Sequence, residues 1–167
     1  MKIALTGHTR GLGLAFFNYF LERDHTVVGI SRTSGYDLTN NIEEITNLIK
    51  SCDLFINNAH VGTSQAILIE KLYNTIPIIT IGSIASDYVY TGDLYRIEKL
   101  VIETTHKKFK KITNYPMLLL KPGFLENFTD KQSIPYQQII NSIEFWLNNP
   151  RVSLIELDNI HYDTDFK

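Results

Sequence analysis

Tyr95 and Lys99 stand four residues apart in the stretch YRIEK, and Ser83 lies twelve positions before Tyr95 at the end of PIITIGS. On a helix, residues four apart share a face, so the phenol and the ammonium can be aimed at one point. A free phenol, with a pKa of about 10, is a poor acid–base group at neutral pH, but a neighbouring ammonium stabilises the phenolate and brings that value down. Such a pair can give up a proton and take it back. A second stretch, ALTGHTRGLG at residues 4–13, sets Gly7, Gly11 and Gly13 around His8, Thr9 and Arg10, directly after an apolar run and before a helical one. A strand that enters a helix through a turn with few side chains lets backbone N–H groups approach a phosphate, while the helix N-terminus supplies about half a positive charge. In that arrangement Gly7 permits the tight turn, Gly11 the close approach of a pyrophosphate, and Gly13 the close packing of helix on strand.

These groups need a scaffold, and the chain reads as one built of repeated β-α units. Runs rich in Ile, Val and Leu at residues 2–6, 26–31, 53–57, 77–82, 117–121 and 153–157 are continuous rather than alternating, as buried parallel strands are. Between them fall helical patterns. Leu12, Ala15, Phe16, Tyr19 and Phe20 recur at spacings of three and four, further patterns cover 41–51 and 63–75, and stronger ones cover 93–110 and 136–147. In 93–110 the stripe Leu94, Ile97, Leu100 and Val101 is expected to face the core; in 136–147 the stripe is Tyr136, Ile139, Ile140, Ile143 and Leu147. The fold class is α/β, a doubly wound parallel sheet with helices on both faces in three layers. Residues 124–135 form the longest irregular segment and offer room for a substrate loop.

Composition limits the partners. With 167 residues and 44% hydrophobic content, one domain over 1–167 is expected. A formal charge of −2, from 16 basic and 18 acidic residues, provides no broad basic field for nucleic acid or an anionic membrane. The single Cys52 cannot pair within the chain, and neither a signal-like N-terminus nor a membrane-length apolar run is present, so the cytoplasm is the expected compartment. Cys52 is read as a small buried hydrophobe, and no metal site is assigned.

Several motifs together resemble the short-chain dehydrogenase/reductase family. TGHTRGLG is similar to its cofactor turn, DLFINNAH carries Asn57, Asn58 and Ala59 where the family has an NNAG strand end, PIITIGSIAS ends a strand at Ser83, and Tyr95 with Lys99 reproduces the YxxxK pair. Asp37 in YDLT resembles the acidic residue beside the adenine, and Pro122-Gly123 the turn beside the nicotinamide. The resemblance implies a Rossmann-type NAD(P)-binding domain that transfers hydride between the nicotinamide and a small carbonyl or alcohol. Tyr95 would give a proton to the carbonyl oxygen, Ser83 would hydrogen-bond it, and Lys99 would also hold the nicotinamide ribose. By the same resemblance the cofactor would lie against Gly7, Thr9, Arg10, Gly11, Leu12, Gly13, Arg32, Asp37, Leu38, Asn58, Ala59, His60, Tyr95, Lys99, Pro122, Gly123, Phe124, Leu125 and Asn127.

Arg32 after the second strand and Arg10 in the turn favour NADP(H) over NAD(H), because a cation there attracts a 2′-phosphate whereas an acidic residue would repel it. The chain also departs from the family pattern. His60 replaces the glycine of NNAG and is read as a structural or rim residue, and His8 as a tolerated turn residue. A helix asparagine that members often use in a proton relay has no clear counterpart, leaving Gln65 and Asn74 as substitutes. Asn127 stands where a threonine commonly contacts the carboxamide. One helix of larger members is expected to be absent after the second strand, opening the adenine side. The resemblance implies a homodimer or homotetramer paired through the helices at 63–75 and 91–110. Two other functions stay open: a non-catalytic dinucleotide-binding regulator, and a sugar-nucleotide epimerase or reductase, the latter suggested by VGTSQAILIEKL at 61–72.

Overall fold

The computed structural model describes residues 1–87, 93–125 and 133–157. Six strands, β1 (Lys2–Thr6), β2 (Thr26–Ile30), β3 (Leu54–Asn57), β4 (Ile78–Ile81), β5 (Met117–Pro122) and β6 (Leu154–Leu157), alternate with helices α1 (Gly11–Leu21), α2 (Ile42–Ile49), α3 (Ser64–Leu72), α4 (Leu94–Lys110) and α5 (Tyr136–Asn148). The strands form one sheet in the order β2-β1-β3-β4-β5-β6, and each of these pairings is parallel. A parallel pair cannot be closed by a hairpin, so a helix carries each crossover.

Direction of growth reverses at β1: the chain lays β2 on one side of it and then returns to lay β3 on the other. The crevice beyond the strand C-termini at such a reversal is where doubly wound sheets hold ligands, and here it opens between the ends of β1 and β3. Only a short 3-10 turn, Arg32–Ser34, precedes α2, and no strand lies beyond β2 among the described residues. That turn is the one helical piece between β2 and α2.

Alternation of side chains along the strands divides the core in two. Ile3, Leu5, Ile56, Leu118 and Leu120 pack against α1 and α5 through Phe16, Phe20, Ile139, Ile143 and Trp146. Ala4, Phe55, Ile78 and Met117 face the other way, onto α2, α3 and α4 through Ile45, Ile49, Leu68, Leu72, Ile102 and Phe109. Cys52 is half-buried and its thiol is pushed up by burial, in keeping with a packing role.

One expectation is corrected. Leu94, Ile97, Leu100 and Val101 face solvent, while Lys99, Ile102, Glu103, His106 and Phe109 are the buried residues of α4. A helix has room for one inward face of about 100°. Lys99 lies on the face that continues into Ile102 and His106, so turning its ammonium to the sheet turns the apolar stripe out.

His106 shows what burial on this face does. Its ring is 1% exposed, with Nδ1 3.0 Å from Thr80 Oγ1 on β4, and burial first, then the Lys110 charge, lowers its pKa to about 4. A lowered histidine stabilises the fold fully above the unfolded value near 6.5 and loses that contribution as pH falls toward 4. Unfolding by urea is expected to become easier by on the order of 3 kcal/mol between pH 7 and pH 4. His106→Gln should flatten the dependence in that window; an unchanged slope would count against the assignment.

Candidate functional site

The glycine turn is shaped by close approach. Gly7 has φ 73° and its N–H donates to the Ile30 carbonyl at 2.8 Å, which turns the chain sharply off β1. A Cβ on Gly13 would fall 1.9 Å from the Gly7 carbonyl oxygen, so any side chain there would push α1 off the strand end. The first turn of α1 contains no acidic residue, and Arg10 at its N-cap makes no side-chain capping bond. Its leading N–H groups and partial positive charge therefore face the crevice.

Thr6 fixes the opposite wall. Its buried hydroxyl oxygen accepts from the N–H of Asn58 at 2.9 Å and of Ala59 at 3.0 Å, while Asn58 Nδ2 donates to the Thr6 carbonyl at 3.0 Å. The two strand ends are thereby clamped at a fixed spacing. His8 proves more than a tolerated turn residue: its ring lies on Gly29 of β2, where a Cβ would come within 2.5 Å, and 5.2 Å from the ring of Phe17. Gly29 was visible in TVVGI only as a small residue inside a strand, and Thr6 carried no signal beyond its place before Gly7.

The resulting cleft has a volume of about 1010 Å³. Gly7, Thr9, Arg10, Gly11, Leu12, Gly13, Arg32, Asp37, Leu38, Asn58, Ala59 and His60 line it, together with Ile30, Ser31, Thr33, Tyr36, Thr39 and Val61, which the sequence did not mark out. Ser31 Oγ caps the 3-10 turn by accepting from the Ser34 N–H, presenting Arg32 and Thr33 at the end of β2. The Asp37 carboxylate turns back on its own loop, accepting from Thr39 N–H at 2.9 Å and Thr39 Oγ1 at 2.7 Å, and these bonds hold it below the usual carboxylate range.

Ser83, Tyr95, Lys99, Pro122, Gly123, Phe124 and Leu125 are not part of that lining. They belong to the adjoining C-terminal ends of β4 and β5 and the start of α4. Lys99 is 3% exposed, and its ammonium donates to Gln65 Oε1 and to the Ile81 carbonyl, each at 3.1 Å. Gln65 in turn donates from Nε2 to the carbonyls of Asn57 (2.7 Å) and Ile81 (3.1 Å), while Asn57 Nδ2 donates to the Gln65 carbonyl at 2.9 Å. Burial lowers the Lys99 pKa to about 8, against the opposing pull of Glu98. The ammonium is 5.7 Å from the centre of the Tyr95 ring. Of the two relay substitutes, then, Gln65 meets Lys99, whereas Asn74 lies beside Thr113. An amide does not exchange its proton readily, so Gln65 orients the ammonium.

Ser83 follows β4, and its Oγ accepts from the Ala85 N–H at 3.1 Å. Three residues on, Ser86 Oγ lies 2.6 Å from Glu103 Oε2 and 2.8 Å from the Ser83 carbonyl, which pins the serine turn to α4. Glu103 also meets Lys121, a 1% exposed lysine whose ammonium contacts Asp87 at 2.5 Å, Glu103 at 3.0 Å and Glu156 at 3.1 Å. Burial alone would raise the Glu103 carboxyl, but hydrogen bonds from Lys107, Ser86 and Lys121 overcome it and bring its pKa to about 2. The same logic raises Lys121, whose three carboxylate partners outweigh burial. Past β5, the Gly123 N–H donates to the Leu157 carbonyl at 2.8 Å, and Leu125 and Ile134 form an isolated parallel bridge. Asn127 lies outside the described residues.

The glycine cradle, clamped strand end and open helix N-terminus fit a dinucleotide's phosphates, and the buried Lys99 beside Tyr95 fits a site of proton transfer. No family model and no curated protein matches the sequence. Solved structures match in fold. A short-chain dehydrogenase from Sphingobium yanoikuyae in complex with NADPH shares 13% identity at a TM-score of 0.78, over 93% of this chain and 87% of that one. The 3-alpha-hydroxysteroid dehydrogenase from a Pseudomonas species, complexed with NADH, shares 16% at 0.74 over 95% and 96%. UDP-N-acetylglucosamine 4-epimerase from Bacillus cereus shares 18% at 0.73 over 94% and 77%. The chain therefore has the Rossmann-type fold of the short-chain dehydrogenases, a six-stranded parallel sheet with helices on both faces.

Proposed function

We propose that this chain is a compact short-chain dehydrogenase/reductase, a single NAD(P)-binding domain over 1–167 acting in the cytoplasm, that interconverts a small carbonyl compound and its alcohol. The observation that carries this reading is the buried Lys99 ammonium, held by Gln65 and the Ile81 carbonyl beside the Tyr95 ring and next to a glycine-lined cleft. When bound, the nicotinamide supplies hydride to the carbonyl carbon or accepts it in the reverse direction. Tyr95 gives its phenolic proton to the carbonyl oxygen, Ser83 hydrogen-bonds that oxygen, and Lys99 stabilises the phenolate left behind.

Tyr95→Phe is expected to lower turnover by about 10²- to 10⁴-fold with little change in nucleotide affinity, measured by NADPH oxidation over ketones, aldehydes and sugar nucleotides. Because Lys99 must stay charged, carbonyl reduction should decline as pH rises through about 8. Nucleotide binding without reduction or epimerisation of any of these would favour a dinucleotide-binding sensor, a reading motivated by the position of Ser83, Tyr95 and Lys99 outside the main cleft lining. Epimeric product formed from sugar nucleotides without net NADPH oxidation, or reduction confined to sugar nucleotides, would favour the epimerase- or reductase-like alternative.

NADP(H) is the preferred nucleotide on this reading, because Arg10 and Arg32 both line the cleft while the Asp37 carboxylate is occupied by Thr39. NADPH should bind more tightly than NADH, and Arg32→Ala should narrow the gap about tenfold, the worth of one charge-assisted hydrogen bond. Equal dissociation constants in the unaltered protein would reject the preference.

The outward stripe on α4 supports assembly into a homodimer or homotetramer. Leu94 is 67% exposed and Ile97 52%, beside Leu100 and Val101, and Ile67 is exposed on α3. The protein should sediment as a dimer or tetramer at micromolar concentration, and Ile97→Glu should shift it to monomer. A monomer at that concentration before any substitution would overturn the assembly.

A further inference from the structure

We propose that His60 is a positioning residue for Tyr95: anchored by Glu98 and set edge-on against the phenol ring, it holds that ring in the orientation from which it meets the reacting carbonyl. The proposal rests on the reading of Tyr95 as proton donor and extends it to a residue that the resembling family replaces with glycine.

The geometry is that of a latch between two walls. The His60 ring centre is 4.9 Å from that of Tyr95, with the planes at 70°, an edge-to-face contact. Its Nε2 lies 2.8 Å from Glu98 Oε2, a close packing contact that lacks hydrogen-bond geometry, the two side chains being 25% and 17% exposed. On α4, Tyr95, Glu98 and Lys99 occupy positions i, i+3 and i+4, so all three surround the imidazole from one helix face. The following loop closes over the same carboxylate: a Cβ on Gly62 would lie 3.9 Å from Glu98 Oε1.

Tyr95 has need of such a support. The residue is 42% exposed at the first turn of its helix, where packing alone leaves an aromatic side chain free to exchange rotamers. Glycine at position 60 would leave the flank of the ring open. His60 also lines the nucleotide cleft, whereas Tyr95 does not, so it joins the surface that receives the nucleotide to the group that handles the proton. Burial and the Lys99 charge hold the imidazole below its usual pKa against the pull of Glu98, so it adds no cation beside the phenol at neutral pH. In productive orientation a small angular error is expensive, since about 1 Å of misplacement can lower a rate about 100-fold.

The test pairs kinetics with a measurement that needs no turnover. His60→Gly should lower kcat about 10- to 100-fold while the KM for NADPH rises by a smaller factor, and Glu98→Gln should lower kcat by less than His60→Gly does. The double variant should be no worse than His60→Gly, because both act through one contact. In the unliganded protein, the His60 carbon-bound proton resonances should be displaced by Tyr95→Leu and preserved by Tyr95→Phe, which keeps the ring. Unchanged kcat in His60→Gly, strictly additive losses, a rise in NADPH KM alone, or resonances indifferent to Tyr95→Leu would each overturn the proposal. If His60→Gly does not fold, Glu98→Gln and the resonance test decide it. Failure of the underlying reading looks different: the unaltered protein, or Tyr95→Phe, would then be the one to break expectation.

Discussion

Burying an ammonium in a protein requires that oxygen atoms be brought to it, and the arrangement around Lys99 follows from that requirement. Its two acceptors are neutral, a glutamine carboxamide and a strand-end carbonyl, so the charge is solvated without being cancelled. Full pairing with a carboxylate would stabilise the ammonium further and spend its field on the partner. The chosen acceptors leave that field available to the neighbouring phenol, and the lowered pKa of the lysine records what incomplete solvation leaves unrecovered.

That choice propagates outward. Gln65 can reach Lys99 only because Asn57 and the Ile81 carbonyl fix its other end, which places α3 against β3 and β4. The inward face of α4 then carries Lys99, Glu103 and His106 among its apolar residues, and each needs its own partner: Ser86 and Lys121 for the glutamate, Thr80 for the histidine. The apolar residues displaced from this face end on the surface as an exposed stripe. An inward-facing polar layer and an outward-facing apolar one are thus two results of one helix rotation.

The strand runs and helical spacings were legible because a parallel sheet covered on both faces demands continuous apolar strands, and those survive in the sequence without ambiguity. The glycine turn was legible for a related reason, since Gly7 and Gly13 sit where backbone meets backbone. The facing of α4 was not. Apolar periodicity reports an amphipathic helix but does not say which face the core takes, and here Lys99, Glu103 and His106 claimed it. Thr6, Gly29 and Ser31 were likewise hidden, because a hydroxyl that clamps two loops or a glycine under a histidine ring has no spacing rule to announce it. Gln65 could be named as one of two candidates, and only the three-dimensional path of α3 separates it from Asn74.

Lys121 brings together side chains from three separate parts of the chain, Asp87 after β4, Glu103 on α4 and Glu156 on β6. One cation answers three anions, so the positions are mutually dependent in descent: a neutral residue in place of the lysine leaves the buried Glu103 with Ser86 and Lys107 alone, and loss of the glutamate leaves Ser86 and the lysine both short of a partner. Accepted changes in this corner would have to arrive in compensating combinations, with order mattering.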